Sequence, residues 1–253
     1  MLAVVRLCFF SNLSDGGTIS KCGVACHNIY DTEVFEVLSL GSPSAVFCDF
    51  DGTITAVETF AGMLKVFAPQ MSAEVMPKLY TRELTLREGV RQMLESIPAS
   101  QYDAAIGFAD DKPIREGLQE LIAFCQDRDM AFHLVSGGLR GMVERVLQRE
   151  NITGVASITA VDVDASGAFL RVPPQGFEGG TELIAKVQVM AQYPNVRKIA
   201  IGDSVTDVNM AFHGDLVFAR DRLVDYMQSE QKPYVAWDTF FDVRDFLASQ
   251  WQA

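Results

Sequence analysis

The chain has 253 residues, of which 49% are hydrophobic and 21% charged, with a formal net charge of −12. This length allows one large domain or a domain with a smaller insert, and the hydrophobic fraction is enough for a buried core. The acidic balance excludes duplex nucleic acid and anionic membranes as favoured partners, and no apolar run reaches the roughly 20 residues that span a bilayer.

The first 43 residues differ from the rest of the chain, and we expect them to form an irregular N-terminal extension without a function of its own. The sequence contains five cysteines, an odd number without paired spacing. Such usage is typical of reduced thiols, so we expect a cytoplasmic protein. The sequence leaves open whether that protein is a monomer or a homodimer.

From residue 44 onward, strand and helix patterns alternate along the chain. An apolar strand is predicted at residues 45–48, and residues 58–110 have helical spacing throughout. A helix at 114–125, a strand at 131–135 and a helix at 139–147 follow. Residues 157–163 and 168–172 flank a glycine turn and predict a β-hairpin. The remaining elements are a helix at 183–190, a strand at 198–201, a helix at 207–213 and a strand at 216–219. Alternation of this kind predicts an α/β fold with a mostly parallel sheet.

Three of the predicted strands end in polar residues. In parallel sheets, ligands bind at the carboxyl ends of the strands, so these residues are expected to meet at one edge. The residues concerned are Asp49 and Asp51 after the first strand, Ser136 and Gly137 after the second, and Asp203, Ser204 and Asp207 after the third.

Crowded carboxylates repel one another unless a cation neutralises them, and oxygen ligands select a hard ion. Magnesium fits this pattern because it binds through a few carboxylates together with a substrate phosphate. We therefore expect Mg²⁺ to be bound by Asp49, Asp51 and Asp203. Asp207 and Ser204 are expected to lie next to these ligands without binding the metal directly.

The same residues suggest a phosphoryl-transfer reaction. An ionised Asp49 can attack phosphorus, and Asp51 can protonate the leaving alkoxide and then deprotonate the hydrolytic water. Ser136, the amide of Gly137 and Lys186 are the candidates for holding the phosphoryl oxygens. Simpler explanations exist for three of the site residues: Ser136 as a helix cap, Lys186 as a surface lysine, and Asp207 as a helix N-terminal carboxylate.

Taken in order, these motifs resemble those of the haloacid dehalogenase-like phosphatases. They are DFDGT at 49–53, SGG at 136–138, Lys186, and GDSVTD at 202–207, and the likeness covers residues 45–250. The resemblance implies a Rossmann-like core formed by residues 44–57 and 111–253, with a small helical cap at 58–110 inserted after the first motif. It also implies magnesium and an aspartyl-phosphate intermediate.

A narrower resemblance is to the phosphatases of methionine salvage. It is carried by TFAGMLKVFAP at 59–69, LTLREGVRQM at 84–93, DKPIREGL at 111–118, and IGDSVTDVNM at 201–210 followed by VFAR at 217–220. It implies a small phosphorylated metabolite as substrate, 2-hydroxy-3-keto-5-methylthiopentenyl 1-phosphate. The chain departs from that pattern by having no cysteine cluster at 173–181. The alternatives are a phosphoserine phosphatase-like enzyme, a general small-metabolite phosphatase, or a receiver-type phospho-switch, although receivers are about half this length.

Two arginines of the predicted cap, Arg87 and Arg91, are candidates for substrate contacts. We expect one or both to face the cleft and hold an anion or carbonyl of the substrate. The simpler alternative is a charged helix face in solvent.

Overall fold

The structure is a computed structural model that describes residues 43–251. The predicted N-terminal extension lies outside the described residues, except for Pro43. Residues 43–251 form a sheet of six parallel strands in the order β3-β2-β1-β4-β5-β6. The strands are β1 Ser44–Cys48, β2 Ala131–Leu139, β3 Ser157–Val161, β4 Arg197–Gly202, β5 Leu216–Ala219 and β6 Val235–Ala236. The predicted α/β class with a parallel sheet is confirmed.

Strand β1 lies at the centre of the sheet and all five of its residues are buried. Phe47 is aligned with His133 of β2 on one side and with Ala200 of β4 on the other. A strand with neighbours on both edges and helices packed around it needs apolar residues on both faces, which explains the unbroken run at 45–48. The carboxyl ends of β1, β2 and β4 are therefore adjacent.

Ten α-helices accompany the sheet in the described part of the chain. They are α1 Phe60–Phe67, α2 Pro69–Tyr80, α3 Leu86–Glu95, α4 Tyr102–Ile106, α5 Leu118–Gln126, α6 Arg140–Arg149, α7 Lys186–Ala191, α8 Val208–Phe212, α9 Asp221–Ser229 and α10 Phe240–Trp251. Residues 58–110 contain α1 to α4 and no strand, as their spacing predicts. Their assignment as a separate cap stays a prediction. Within residues 43–251, no helix combines the length and apolar composition that crossing a bilayer requires.

The helical segment leaves and rejoins the sheet through two adjacent stretches of chain. Thr55 and Ile114 form an antiparallel bridge. The amide of Ala56 donates to the carbonyl of Pro113 at 2.8 Å, and the amide of Arg115 donates to that of Ile54 at 2.9 Å. This paired connection starts a few residues after Asp49 and holds α1 next to the carboxyl end of β1.

The predicted hairpin at 157–172 is present only as one antiparallel pair, in which the amides of Asp164 and Arg171 donate to each other's carbonyls at 2.8 and 2.9 Å. Its first half is β3, which pairs in parallel with β2 at the edge of the sheet. The second half forms only isolated bridges, Asp164 with Arg171 and Phe169 with Pro98. The glycine turn is present, but the partner that tertiary packing supplies for β3 is β2 and not the next segment of chain. Strand β6 was not predicted, because two residues are too few to show a pattern.

Candidate active site

Three carboxylates from two strand ends meet in the interior of the protein. Asp49 follows β1, and its amide donates to the carbonyl of Ile201 in β4 at 3.0 Å. Asp203 and Asp207 follow β4. One carboxylate oxygen from each of the three residues lies within 4.8 Å of the other two, and all three residues are buried. The predicted convergence of the first and fourth motifs, DFDGT and GDSVTD, is therefore present.

Lys186 lies between two of these carboxylates. It is the first residue of α7 and is only 3% exposed, so the alternative of a surface lysine is wrong. Its Nζ binds Asp49 Oδ1, and it contacts Asp207 Oδ1 at 2.5 Å. Burial alone lowers the pKa of Lys186, but the charges of Asp207 and Asp49 outweigh this effect and the pKa lies above its usual value. The amine therefore stays protonated.

Asp207 has two structural roles. Its Oδ2 accepts hydrogen bonds from the amides of Asp203 and Ser204, each at 3.0 Å. With Ser204 it forms a capping box at the 3-10 turn Val205–Asp207. Asp207 is thus an N-terminal carboxylate of a helical turn and also a member of the buried acidic cluster, so the two interpretations of this residue do not exclude each other. A Cβ at Gly202 would come within 2.7 Å of Asp207, which explains the glycine there.

Asp203 is held by the loop that follows Asp49. The hydroxyl of Thr53 donates to Asp203 Oδ1 at 2.8 Å. Gly52 has φ +86°, and a Cβ there would lie 2.5 Å from Asp203 Oδ2. Only glycine combines this backbone conformation with so close an approach. The Gly-Thr of DFDGT therefore places the first motif directly against the fourth.

The electrostatics of this cluster are unbalanced. Burial and the charge of Asp207 raise the pKa of Asp203 to about 7, against the hydroxyl of Thr53 and the charge of Lys186. Burial and Asp207 likewise raise the pKa of Asp49, although Lys186 acts in the opposite direction. Three carboxylates face one ammonium group, which leaves two negative charges. Oxygen ligands with that excess charge fit a hard divalent cation, so the residues present are suitable for Mg²⁺.

Asp51 lies outside this three-carboxylate group. Its Oδ1 accepts a hydrogen bond from the amide of Thr59 at 2.5 Å, and its Oδ2 accepts one from the amide of Phe60 at 3.0 Å. Both donors are free amides at the start of α1. The cluster of buried carboxylates thus contains Asp207 and not the side chain of Asp51, which the sequence suggested as a metal ligand. Burial raises the pKa of Asp51, partly offset by the two amides, which favours a carboxyl that can hold a proton.

Ser136 and Gly137 lie in β2, which continues beyond its predicted end at residue 135 and has a bulge between Val135 and Leu139. Ser136 is buried, and its Oγ accepts a hydrogen bond from the amide of Gly138 at 3.0 Å. It does not cap α6, whose N-cap is Leu139 without a side-chain bond. Gly137 is exposed, and a Cβ there would have no neighbour within 4 Å. Backbone at this position is therefore open to a ligand.

Arg87 and Arg91 are bound by another part of the chain, and their contact with a substrate stays a prediction. Nη1 of Arg87 donates to the carbonyl of Gly179 at 3.3 Å, and Nη2 of Arg91 donates to Glu178 at 3.1 Å. Nη1 of Arg91 also binds the carbonyl of Val172. Both guanidinium groups are thus engaged by the chain segment between β3 and α7. The sequence could not show this, because it depends on the path of an irregular segment.

One further arginine beside the site was not predicted. Arg115 donates from Nη2 to the carbonyl of Gly52 at 2.8 Å and is 3.9 Å from Asp221. It lines a cavity of about 180 Å³ that also reaches Asp203 and Ser204. The only indication in the sequence was its position in DKPIREGL, just after the helical segment.

Comparison with known proteins identifies the family and the enzyme class. A model of the haloacid dehalogenase-like hydrolase family matches residues 46–211. A 2-hydroxy-3-keto-5-methylthiopentenyl-1-phosphate phosphatase of Microcystis aeruginosa is 56% identical over 203 residues, which cover 80% of this chain and 96% of the relative. A protein of the same name from Bacillus cereus is 33% identical, over 79% of this chain and 93% of its own. Both relatives are named as phosphatases, in agreement with the predicted enzyme class.

Solved structures show the same fold at low sequence identity. A phospho-aspartyl intermediate analogue of phosphoserine phosphatase has a TM-score of 0.59 at 19% identity and covers 83% of this chain and 99% of its own. Phosphoserine phosphatase from T. onnurineus has a TM-score of 0.60 at 14% identity, over 81% and 94%. Motifs, fold and relatives agree, and the chain belongs to the haloacid dehalogenase-like hydrolase family.

Proposed function

We propose that this chain is a magnesium-dependent phosphomonoesterase that forms an aspartyl-phosphate on Asp49. The observation that carries the proposal is the buried group of Asp49, Asp203 and Asp207 with Lys186 bound between two of its members. Buried like charges raise one another's pKa and destabilise the folded state, so a contribution to stability does not explain this site. It is suited to a divalent cation and to a phosphoryl group, both of which complete its charge balance.

In the first step, an oxygen of Asp49 attacks phosphorus while the bond from phosphorus to the ester oxygen breaks. Asp51 gives its proton to the departing alkoxide. In the second step, water attacks phosphorus, its proton returns to Asp51, and the Asp49 carboxylate leaves as inorganic phosphate forms. The raised pKa of Asp51 supports its role as the acid, and its bonds to α1 keep it oriented.

Lys186, Ser136 and the amide of Gly137 are proposed to hold the phosphoryl oxygens. Lys186 already contacts Asp49, so a phosphoryl group on that carboxylate would lie within its reach. Asp49 and Asp203 are proposed as direct metal ligands, with Asp207 and Ser204 supporting them. When bound, magnesium would neutralise negative charge on the cluster and on the phosphoryl group.

For the substrate, we propose 2-hydroxy-3-keto-5-methylthiopentenyl 1-phosphate. This rests on the names of the relatives, whose similarity extends through residues 58–110, where the predicted cap lies. The solved phosphoserine phosphatases share the fold at under 20% identity and carry no argument about substrate. We propose in addition that the protein is cytoplasmic and that its partner is a small phosphorylated metabolite.

The test is a phosphate-release assay with magnesium over a panel of small phosphorylated metabolites. The panel includes the methylthiopentenyl phosphate and phosphoserine, and Asp49→Asn serves as the inactive control. We expect repeated turnover with a clear preference for the methylthiopentenyl phosphate. Comparable rates on many compounds would indicate a general phosphatase, and stable phosphorylation without turnover would indicate a switch.

A further inference from the structure

The segment between β3 and α7 is bound to α3 by an arginine cluster. The amide of Arg87 donates to the carbonyl of Thr181 at 2.7 Å, in addition to the side-chain bond to Gly179. Arg91 binds the carbonyl of Val172 and the carboxylate of Glu178. Two residues of one helix therefore hold four positions of a segment more than 80 residues further along the chain.

Glu178 is the charged centre of these contacts. Its Oε1 lies 3.1 Å from Arg91 and 3.8 Å from Arg87, while its Oε2 accepts a bond from the amide of Gln175 at 3.3 Å. Its side chain is only 21% exposed. A pair with this degree of burial and both a side-chain and a backbone bond is more constraining than an exposed ion pair.

The same segment ends at Lys186. The amide of Gly179 donates to the carbonyl of Glu182, and the amide of Ala185 donates to the carbonyl of Phe177, both at 2.8 Å. These two bonds fold residues 177–185 into a closed loop whose last residue is the N-cap of α7. Lys186, the first residue of that helix, then reaches Asp49. The position of Glu178 is thus connected to the position of Lys186 by a short, bonded path.

We propose that Arg91 and Glu178 are positioning residues that fix the 177–185 loop and thereby hold Lys186 beside Asp49. Arg87 supports the same loop through its bonds to Gly179 and Thr181. The arginines of α3 act through the chain's own loop and not by binding the substrate. This inference rests on the proposed phosphatase function.

The two roles predict different kinetics. If an arginine of α3 bound the substrate, its removal would raise KM, whereas removal of Glu178, which is not itself a substrate ligand, would leave that contact in place. A positioning pair lowers kcat when either member is removed, because the lysine that contacts the reacting carboxylate is less well placed. The effect should also be independent of the leaving group, because the lysine acts at the phosphoryl end.

The experiment measures kcat and KM of Arg91→Ala, Glu178→Ala and the double variant on two substrates. These are the methylthiopentenyl phosphate and p-nitrophenyl phosphate, which lacks the polar groups of the metabolite. We expect each single variant to lose about 10-fold in kcat on both substrates, with the double variant no worse than the singles. KM should stay within about twofold on p-nitrophenyl phosphate.

The matched control is Arg171→Gln. Arg171 forms an ion pair with Asp164 at 2.8 Å in the same part of the chain, but this pair does not involve α3. It should leave kcat unchanged. Hydrogen exchange, which is independent of turnover, should increase at residues 177–186 in Glu178→Ala and not in Arg171→Gln. Glu178→Gln, which keeps the shape of the side chain, serves if the alanine variant fails to fold.

An effect on KM alone, an additive double variant, or wild-type kcat in Glu178→Ala would overturn the inference and leave the phosphatase proposal intact. Absence of phosphate release by the wild-type protein from both substrates would instead refute the proposed function. In that case, unchanged exchange at 177–186 in Glu178→Ala would also overturn the structural part of the inference.

Discussion

At the scale of single residues, the acidic cluster places unfavourable negative charge in the interior of the protein. Three buried carboxylates share one lysine, and the pKa of Asp203 is raised to about 7 from its usual 3.8. The folded protein therefore takes up a proton at Asp203 more readily than the unfolded chain does. Below pH 3.8 the carboxyl of Asp203 is protonated in both the folded and the unfolded state. Above a pH of about 7 it is ionised in both states, and the folded protein then contains the full unfavourable charge.

The first prediction follows from this sign. In the presence of a chelator, the melting temperature should fall as pH rises from about 5 to about 8, because the carboxyl of Asp203 must ionise in the folded state. Asp203→Asn should flatten this profile, and saturating Mg²⁺ should raise the melting temperature most at the alkaline end. A melting temperature that is independent of both pH and Asp203 would contradict the description of the cluster.

The second prediction separates the two aspartates of DFDGT. Asp51→Asn should lower kcat by roughly 10²- to 10⁴-fold on an alkyl phosphate, whose alkoxide needs a proton to leave. The loss should be much smaller on p-nitrophenyl phosphate, because p-nitrophenolate leaves without one. Steady-state rates on both compounds test this. An equal loss on the two would remove Asp51 from the acid role.

The sequence predicts site residues well where backbone geometry demands a particular residue type. Asp49 and Asp203 follow buried strands, and Gly52 lies where a side chain would collide with Asp203. The sequence does not predict side-chain contacts that depend on the path of an irregular segment. Arg87 and Arg91 are the example, since nothing in LTLREGVRQM indicates that residues 172–181 return to meet this helix.

At the scale of elements, the predicted strands correspond to β1, β2, β4 and β5 with small changes at their ends. Short apolar runs bounded by polar residues suffice when both faces of a strand are covered. The hairpin at 157–172 is reduced to one antiparallel pair, because the alternation of its first half also suits an edge strand of a parallel sheet. Strand β2 is longer than predicted, since its bulge allows Ser136 and Gly137 to remain within the strand.

The third prediction concerns the start of α3. Thr85 accepts a bond from the amide of Glu88 at 3.2 Å, and Glu88 accepts one from the amide of Thr85 at 3.0 Å. Replacing Thr85 by Ala removes this capping box and should lower the free energy of unfolding by about 1 kcal/mol. Denaturant unfolding measures the change. Arg82→Gln, a substitution in the preceding turn outside the box, is the control and should have a smaller effect.

At the scale of the whole molecule, the parallel sheet places Asp49, Ser136 and Asp203 in adjacent strands or directly after them, and α7 brings Lys186 to Asp49. These residues are spread over most of the described chain. The helices at 60–106 are joined to the sheet by the paired segments around Thr55 and Ile114. Asp51 binds the first of these helices, and Glu178 connects the third to the loop of Lys186. The helical segment therefore contacts the candidate site from two directions, which the sequence did not indicate.

The fourth prediction is the direct test of the central claim, that Asp49 accepts the phosphoryl group. Acyl phosphates are reduced by borohydride, which would convert a phosphorylated Asp49 to homoserine. Wild-type protein quenched with borohydride during turnover of the methylthiopentenyl phosphate should yield homoserine at position 49 by peptide mass spectrometry. Protein quenched without substrate should retain aspartate. Full turnover with unmodified aspartate at position 49 in every quenched sample would contradict the account.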